Sequence, residues 1–204
     1  MVSNVWKHGQ KFLRIKLLAF GLLTAAAMAS CQRHVNLSDD TVAVGPSATA
    51  DCQTVEHEKG TTEICGQPRR IVALSPYVLE LLLTLDVLPV GYAAMFDFHQ
   101  GDYSDPSQQI PYLGDRITPP LANVGLAETP SIEAVLKVQP DLILGTDIVN
   151  SSHYEMLSQL APTLLLDYAD TAKGLRAIAQ AVNRTEQAEQ LLMQTQQQIV
   201  TALE

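Results

Sequence analysis

Short, largely apolar runs alternate with segments of helical spacing over most of the chain. The runs that we expect to form strands are residues 70–74, 89–93, 123–125, 141–145 and 163–167. A run with few polar positions is typical of a parallel strand, because such a strand is buried on both faces of its sheet. Since helical segments separate these runs, the pattern predicts an α/β fold with a parallel β-sheet flanked by helices.

Capping residues mark where the intervening helices begin. Ser75 followed by Pro76 predicts a helix start, because Ser at the N-cap accepts a backbone N–H and Pro suits the first helical position. Residues 129–133 give a second capped start, and residues 151–160 are expected to form a third helix.

The C-terminal region is predicted to be helical throughout. Apolar positions share one face over residues 175–182, and the same spacing recurs over residues 188–203. Asn183 with Glu186 three residues later indicates a capping box, which opens the second of these helices. We therefore expect a long C-terminal helix over residues 183–204.

The first 31 residues have the organisation of an exported lipoprotein's signal sequence. Four basic and no acidic residues lie in this segment, and its apolar run is short for a membrane span. The residues before Cys31 resemble a bacterial lipobox, with Met28 where Leu is usual, which implies cleavage, lipidation of Cys31 and lasting membrane attachment. Residues 1–30 are thus predicted to be a signal peptide, and residues 31–51 a flexible tether. The alternatives are an uncleaved anchor and an ordinary signal followed by a chance cysteine.

Two β-prone runs follow the tether and predict a β-hairpin over residues 52–65. They are joined around Gly60, which can adopt the positive φ of a tight turn. Cys52 and Cys65 bracket the hairpin, so a cross-strand disulfide is expected in an oxidising compartment. The alternative is two free thiols. We expect His57, at the turn, to be solvated.

Composition and motifs exclude several classes of function. Lys and Arg number 13 against 22 Asp and Glu, and four of the basic residues lie in the first 30. Such an acidic body is not expected to bind nucleic acid, because it has no basic surface to release phosphate counterions. The sequence has no nucleophile elbow, dinucleotide-binding turn or P-loop, and its five histidines are too scattered for a zinc or manganese site. We therefore expect no catalytic residues and no metal site.

Six ordered segments carry a family resemblance. They are residues 70–76 with Glu80 in the following helix, 89–92, 123–125, 130–135, 140–144 and 161–163. Together they resemble the periplasmic binding proteins of ABC-type iron-siderophore and cobalamin uptake, and the hairpin is similar to those of ferric-siderophore and ferric-citrate binding lipoproteins. That family has a class III fold, in which one long helix joins two α/β lobes and the ligand lies between them.

The resemblance implies a division of the chain and a function. Residues 52–182 would form the N-terminal lobe and residues 183–204 the start of the interlobe helix, in a chain truncated before its second lobe. The protein would be a substrate-binding lipoprotein of an ABC importer, located in the cell envelope and facing the periplasm or exterior. It would capture an iron(III)-siderophore or a ferric-citrate-like chelate and deliver it to the permease and ATPase subunits.

Other functions remain open at this point. A chelate already satisfies its iron, so we expect no cofactor and no metal ligand from the protein. One alternative is a cobalamin or haem binder of the same fold, because an apolar, aromatic site with few arginines suits a less anionic ligand. The other is a single-lobe fragment that has only an interaction role, or no function.

Ligands of such sheets bind beyond the carboxyl ends of the strands. The candidate ligand-binding residues in the loops at that end are Ser75, Tyr77, Phe96, Phe98, Tyr103, Ala127, Glu128, Thr146 and Asp147. For each aromatic residue the alternative is a packing role within the lobe. Ala127 stands where hydroxamate-binding relatives often carry Arg, so the missing lobe is expected to supply most of the charge recognition of an anionic chelate.

The resemblance also implies a docking residue. Family members dock on their permease through a surface carboxylate on each lobe. Glu155 is our candidate here, with Glu128 and Glu133 behind it. For each of them the alternative is an ordinary solvated carboxylate.

Overall fold

Strands and helices alternate along residues 51–203, which are the residues that the computed structural model describes. In chain order the elements are β1 (Cys52–His57), β2 (Gly60–Cys65), β3 (Ile71–Ala73), α1 (Pro76–Thr84), β4 (Gly91–Ala94), α2 (Pro106–Gln109), β5 (Ala122–Leu126), α3 (Ile132–Lys137), β6 (Leu142–Thr146), α4 (Asp147–Asn150), α5 (Tyr154–Ser158), β7 (Thr163–Leu166), α6 (Thr171–Ala181) and α7 (Thr185–Leu203). Two 3-10 turns, Gly114–Arg116 and Ser151–His153, lie between them.

Five of the strands form one parallel sheet in the spatial order β5-β4-β3-β6-β7. Each neighbouring pair is parallel, and each strand overlaps one of the predicted apolar runs. The predicted α/β fold is therefore confirmed. The predicted signal peptide, Cys31 and all but the last residue of the predicted tether lie outside the described residues.

Helices cover both faces of this sheet. On one face α1, α6 and α7 pack through a buried cluster that includes Leu82 and Ile178. On the other face α3 and α5 pack through a second cluster that includes Val135. Ile71 of β3 belongs to the first cluster and Val72 to the second, because successive side chains of a strand point to opposite faces.

The predicted helix starts at the two serines are confirmed. The Ser75 hydroxyl accepts the N–H of Val78 at 3.2 Å at the start of α1, and Ser131 caps α3 in the same way. The prediction of a single helix over residues 151–160 is wrong, because helical structure already begins in α4 and is broken by a 3-10 turn before α5. Leu157 is the buried residue of α5, so the segment lacks a continuous apolar stripe to hold one longer helix.

Asn183 ends α6 rather than starting α7. Its φ of 57° is left-handed, and its N–H donates to the Gln180 carbonyl at 3.2 Å, while the Arg184 N–H donates to the Ala179 carbonyl at 2.7 Å. This pair of bonds is a Schellman motif, in which Asn is the usual substitute for Gly. The predicted capping box at Asn183 and Glu186 is therefore wrong. Asn is favourable both at the N-cap of a helix and just after its C-terminus, and the spacing to Glu186 did not distinguish these two positions.

The β1–β2 hairpin forms as the sequence predicts. Antiparallel pairing places Cys52 opposite Cys65 and His57 opposite Gly60, and Gly60 has a φ of 114°. A disulfide joins Cys52 and Cys65 at the end of the hairpin away from its turn.

The hairpin covers the outer edge of β7, the last strand of the sheet. The backbone N–H of Glu58 donates to the Leu165 carbonyl at 2.9 Å, and the Thr62 hydroxyl donates to the Thr163 carbonyl at 3.1 Å. These bonds satisfy carbonyls that no neighbouring strand reaches, so the edge strand is protected.

His57 is buried between the hairpin and the sheet, with 8% of its surface exposed. Its Nδ1 accepts the N–H of Leu165 at 3.3 Å and of Lys59 at 3.2 Å, and its Nε2 lies 2.9 Å from the Thr62 hydroxyl. Burial lowers the pKa of His57, against a smaller opposing effect of the Glu58 carboxylate. The expectation of a solvated histidine is wrong, because the turn folds back onto a strand that is distant in the sequence.

Helix α7 leaves the lobe after its first half. Arg176 of α6 forms an ion pair with Glu189 at 2.7 Å, and Leu191 and Leu192 pack partly buried against the core. From residue 193 to residue 203 every side chain is exposed, including Leu203 at 83%. Among the described residues, no helix has both the length and the apolar content that crossing a bilayer requires.

Candidate ligand-binding site

A cavity of about 420 Å³ opens at the carboxyl end of β4. The end of β4, the loop after it and the connection from α2 to the first 3-10 turn form its walls. The lining residues are Pro76, Tyr92, Ala94, Met95, Phe96, Phe98, His99, Tyr103, Gln109, Pro111, Tyr112 and Leu113. A smaller cavity of about 190 Å³ shares four of these residues and adds Asp97 and Asn123. A groove along α7 is lined by that helix alone, so nothing encloses a ligand there.

Aromatic rings dominate the main cavity. Phe96 and Phe98 lie with ring centroids 5.6 Å apart, and they are 62% and 72% exposed. Deeper in the cavity, Tyr92 and Tyr103 lie 5.5 Å apart. Burial raises the pKa of both tyrosines, so their hydroxyls are protonated at neutral pH. The exposed rings of Phe96 and Phe98 therefore offer an uncharged surface for stacking, whereas Tyr92 and Tyr103 are almost fully buried.

The loop after β4 is held against the outer edge of β5. Tyr103 exchanges two backbone hydrogen bonds with Leu121, at 2.7 and 3.0 Å. The His99 ring lies 5.1 Å from the Tyr103 ring, and its Nε2 donates to the Asp102 carbonyl at 2.9 Å. In that tautomer Nδ1 accepts the side-chain amide of Gln109 at 3.4 Å. The loop is thus fixed by the same residues that line the cavity.

A second aromatic pair lies at the carboxyl end of β7. The rings of Tyr77 and Tyr168 are 5.0 Å apart, and the Tyr77 hydroxyl donates to the Asp167 carbonyl at 3.4 Å. Burial raises the pKa of Tyr77, while Tyr168 is 52% exposed. Tyr77 therefore combines a packing role with a place on the same edge of the sheet as the cavity.

Three of the predicted ligand-binding residues are buried. Ser75 is 2% exposed and caps α1, Thr146 is 1% exposed, and Ala127 is fully buried. The Ala127 N–H donates to the Ala94 carbonyl at 2.9 Å, and its own carbonyl accepts the Asn150 amide at 2.8 Å. None of the three lines the cavity, so a ligand contact at Ser75, Ala127 or Thr146 stays a prediction.

The remaining candidates divide into two groups. The structure brings Phe96, Phe98 and Tyr103 together in the cavity. Glu128 is exposed and Asp147 half-buried, and neither lines the cavity. Asp147 Oδ1, together with the Thr146 hydroxyl, is a buried side-chain oxygen without a hydrogen-bond partner among the described residues.

Sequence reasoning missed Tyr112 and Tyr168. Tyr112 is 99% exposed and has a φ of 67°, within a connection that follows no strand or helix pattern. Gly114 fixes that connection, because a Cβ at this position would lie 1.8 Å from the Pro106 carbonyl oxygen. Tyr168 had a usable signal, namely an aromatic residue directly after a predicted strand.

Among the described residues that line the cavity there is no Lys or Arg. Arg116 donates to the Leu83 carbonyl at 3.0 Å, and Lys173 forms an ion pair with Glu58 of the hairpin. Among the described residues, the one group arranged to hold a metal ion is Cys52, Glu63 and Cys65, on the hairpin, and both of its sulfurs are in the disulfide. The cavity lining is thus mainly aromatic and apolar.

Known proteins resemble this chain in sequence and in fold. Residues 71–204 match the model of the periplasmic binding protein family. The probable siderophore-binding lipoprotein YfiY of Bacillus subtilis (strain 168) is 29% identical over 184 residues, covering 87% of this chain and 51% of that protein. The Fe(3+) dicitrate-binding periplasmic protein FecB of Escherichia coli (strain K12) is 30% identical over 146 residues, covering 69% of this chain and 46% of that protein.

A solved structure agrees with these relatives. Staphylococcus aureus SirA complexed with staphyloferrin B matches with a TM-score of 0.57 and 28% identity, covering 70% of this chain and 46% of that one. The chain spans about half the length of the curated relatives it matches. Its parallel sheet, its hairpin and the aligned residues together show that the chain belongs to the periplasmic binding protein family.

Proposed function

We propose that this chain is the ligand-binding lobe of a substrate-binding lipoprotein that serves an ABC importer in the cell envelope. In this proposal it captures an iron(III)-siderophore or a ferric-citrate-like chelate and delivers it to the membrane permease. The observation that carries the proposal is the open, aromatic cavity at the carboxyl edge of the sheet, in a chain of this family. The names of YfiY and FecB, which describe a siderophore and a ferric citrate, support the choice of ligand.

The chemistry of the cavity agrees with binding rather than catalysis. A chelate brings iron whose coordination is already complete, so its binding protein needs surface complementarity and no metal ligands. Phe96, Phe98 and Tyr112 present large apolar faces, and a soluble domain seldom leaves such faces bare without a binding role. The lobe then supplies one wall of the cleft.

Calorimetric titration of the chain tests the proposal directly. Ferric citrate, ferric schizokinen, cobalamin and haem are titrated separately, with iron-free citrate as the control. Saturable heat with at least one ferric chelate is expected. If only cobalamin or haem binds, the protein is a cobalamin or haem binder instead. The lack of Lys and Arg in the cavity would agree with such less anionic ligands. No saturable heat with any of the four would leave only an interaction role.

We further propose Glu155 as the carboxylate that docks on the permease. It is exposed at the start of α5, where an arginine of a partner protein can reach it. In a complete two-lobed version of the protein, replacement Glu155→Arg should abolish iron uptake by cells while leaving chelate binding unchanged. Glu80→Arg, exposed on α1 on the other face of the sheet, is the matched control and should leave uptake intact. Normal uptake with Glu155→Arg would reject the assignment.

Lipid attachment at Cys31 is the remaining part of the proposal. Its support is the sequence around Cys31 and the description of YfiY as a lipoprotein. Replacement Cys31→Ser should move the protein from the membrane fraction to the soluble fraction. If the variant stays in the membrane fraction, the attachment has another cause.

A further inference from the structure

We propose that the cavity at the end of β4 is a subsite for an aryl ring of the bound chelate, and that it disfavours a carboxylate-bearing face. This inference rests on the proposed function and specifies the chemical class of ligand. Chelates that carry phenyl, phenolate or catechol groups would place a ring in the cavity. Chelates of the citrate type, which carry only carboxylates and hydroxyls, would gain little from this lobe.

The first argument is the arrangement of the rings. Phe96 and Phe98 are tilted by 59° to each other, and Tyr92 and Tyr103 by 50°. Tyr92 and Tyr103 are buried, so the ring faces and edges open to a further ring are those of the tilted Phe96–Phe98 pair, in the geometry that aromatic contacts favour. Phe96 and Phe98 are both more than half exposed, so a ligand ring would cover apolar surface that the lobe itself leaves bare.

The second argument is the charge around the cavity. Its lining has no Lys or Arg, and Asp97 in the adjoining cavity adds negative potential. The nitrogens of His99 are already engaged by the Asp102 carbonyl and by Gln109. A carboxylate placed against these walls would lose part of its hydration without gaining a Lys or Arg cation, which is costly. An uncharged ring has no such cost.

The test compares two neutral ferric complexes that differ only in the ring. Ferric tris(benzohydroxamate) and ferric tris(acetohydroxamate) bind iron through the same groups, but only the first carries phenyl rings. Titration of the full chain, followed by calorimetry, should give about tenfold tighter binding for the benzohydroxamate complex. Ferric citrate, as the third ligand, should bind more weakly than the benzohydroxamate complex.

Substitutions in the cavity test whether the difference in affinity between the two hydroxamate complexes arises there. Phe96→Ala and Phe98→Ala should each remove most of the tenfold preference, and because both side chains are exposed the fold should persist, which circular dichroism checks. Leu136→Ala is the matched control, since Leu136 is 52% exposed on α3 and does not line the cavity. This variant should keep the full preference.

The possible failures are distinguishable. If ferric complexes bind but the two hydroxamates bind equally, or if both phenylalanine variants keep the preference, the aryl subsite is rejected while the proposed function stands. Stronger binding of ferric citrate than of the benzohydroxamate complex also rejects the subsite. If no ferric complex binds at all, the proposed function fails together with the subsite.

Discussion

His57 should couple the stability of the lobe to pH. In the folded protein its Nδ1 accepts the backbone N–H groups of Leu165 and Lys59, and this requires a neutral ring with the proton on Nε2. The charged and titratable groups around the ring are Glu58 on the hairpin and Tyr154 on α5, with Lys173 of α6 held by Glu58. Protonation of Nδ1 would break both bonds to the hairpin and to β7.

The size of the effect follows from these bonds. His57→Ala leaves the N–H of Leu165, in a fully buried residue, without an acceptor, and it also removes a buried ring. An unsatisfied buried donor costs about 1–3 kcal/mol, so we expect the free energy of unfolding at pH 7.5 to fall by about 3 kcal/mol in all. Urea unfolding followed by circular dichroism measures this change. His153→Ala is the control, and its expected loss is below about 0.5 kcal/mol, because that ring is only partly buried and, among residues 51–203, its hydrogen bond is to the neighbouring Ser152.

The sign of the pH dependence follows from the lowered pKa. Above the unfolded value of about 6.5, His57 is neutral in both states and its contribution is constant. As the pH falls below that value, the unfolded chain takes up a proton that the folded protein resists. Stability then falls by up to about 1.4 kcal/mol per pH unit, until the pH reaches the lowered pKa of the folded state. The protein should therefore lose stability as the pH falls below about 6.5.

A comparison of pH profiles can refute this reasoning. Unfolding free energies of the wild type and of His57→Gln are measured from pH 7.5 to pH 5. The difference between the two proteins should shrink as the pH falls, because only the wild type carries the titrating ring. Parallel profiles would show that the ring does not accept the two backbone N–H groups in solution.

Three further substitutions have effects that the structure specifies. Asn150→Ala leaves two buried backbone groups, at the ends of β5 and β6, without their partner, and it should lower the free energy of unfolding by about 3 kcal/mol in urea titrations. Cys52→Ser opens a disulfide between residues separated by 13 positions and should cost about 3 kcal/mol, with dithiothreitol giving the same loss in the wild type and none in the variant. Gly114→Ala places a methyl group against the Pro106 carbonyl and should weaken chelate binding in calorimetry by displacing the cavity wall, whereas Leu136→Ala, exposed on α3 away from the cavity, should not. Stability or binding equal to the wild type would contradict each prediction in turn.

The sequence predicted the elements whose signals are local. An apolar run specifies a doubly buried strand wherever it occurs, and Ser75 with Pro76 specifies a helix start through contacts within four residues. The hairpin could be predicted for the same reason, because Gly60 and its flanking β-prone residues are neighbours in the chain. These predictions needed no knowledge of which elements meet in space.

One kind of failure concerns residues whose partners are distant in sequence. His57 is buried by contact with Leu165, and Asn150 by contact with Ala127. No pattern in the neighbouring sequence predicts either contact. The same limit applies to the candidate site. Aromatic residues after β4 were predicted, but Tyr112 comes from a connection whose path is fixed by packing at Gly114. Burial of Ala127 likewise depends on the strands beside it rather than on its own segment.

The position of the hairpin has a practical consequence for handling the protein. An uncovered edge strand can pair with strands of neighbouring molecules, and such pairing leads to precipitation. Acid and reducing agents both weaken the hairpin, the first through His57 and the second through its disulfide. Samples kept at neutral pH without reductant should stay monodisperse by light scattering. Brief exposure to acid should start irreversible association through the uncovered edge of β7.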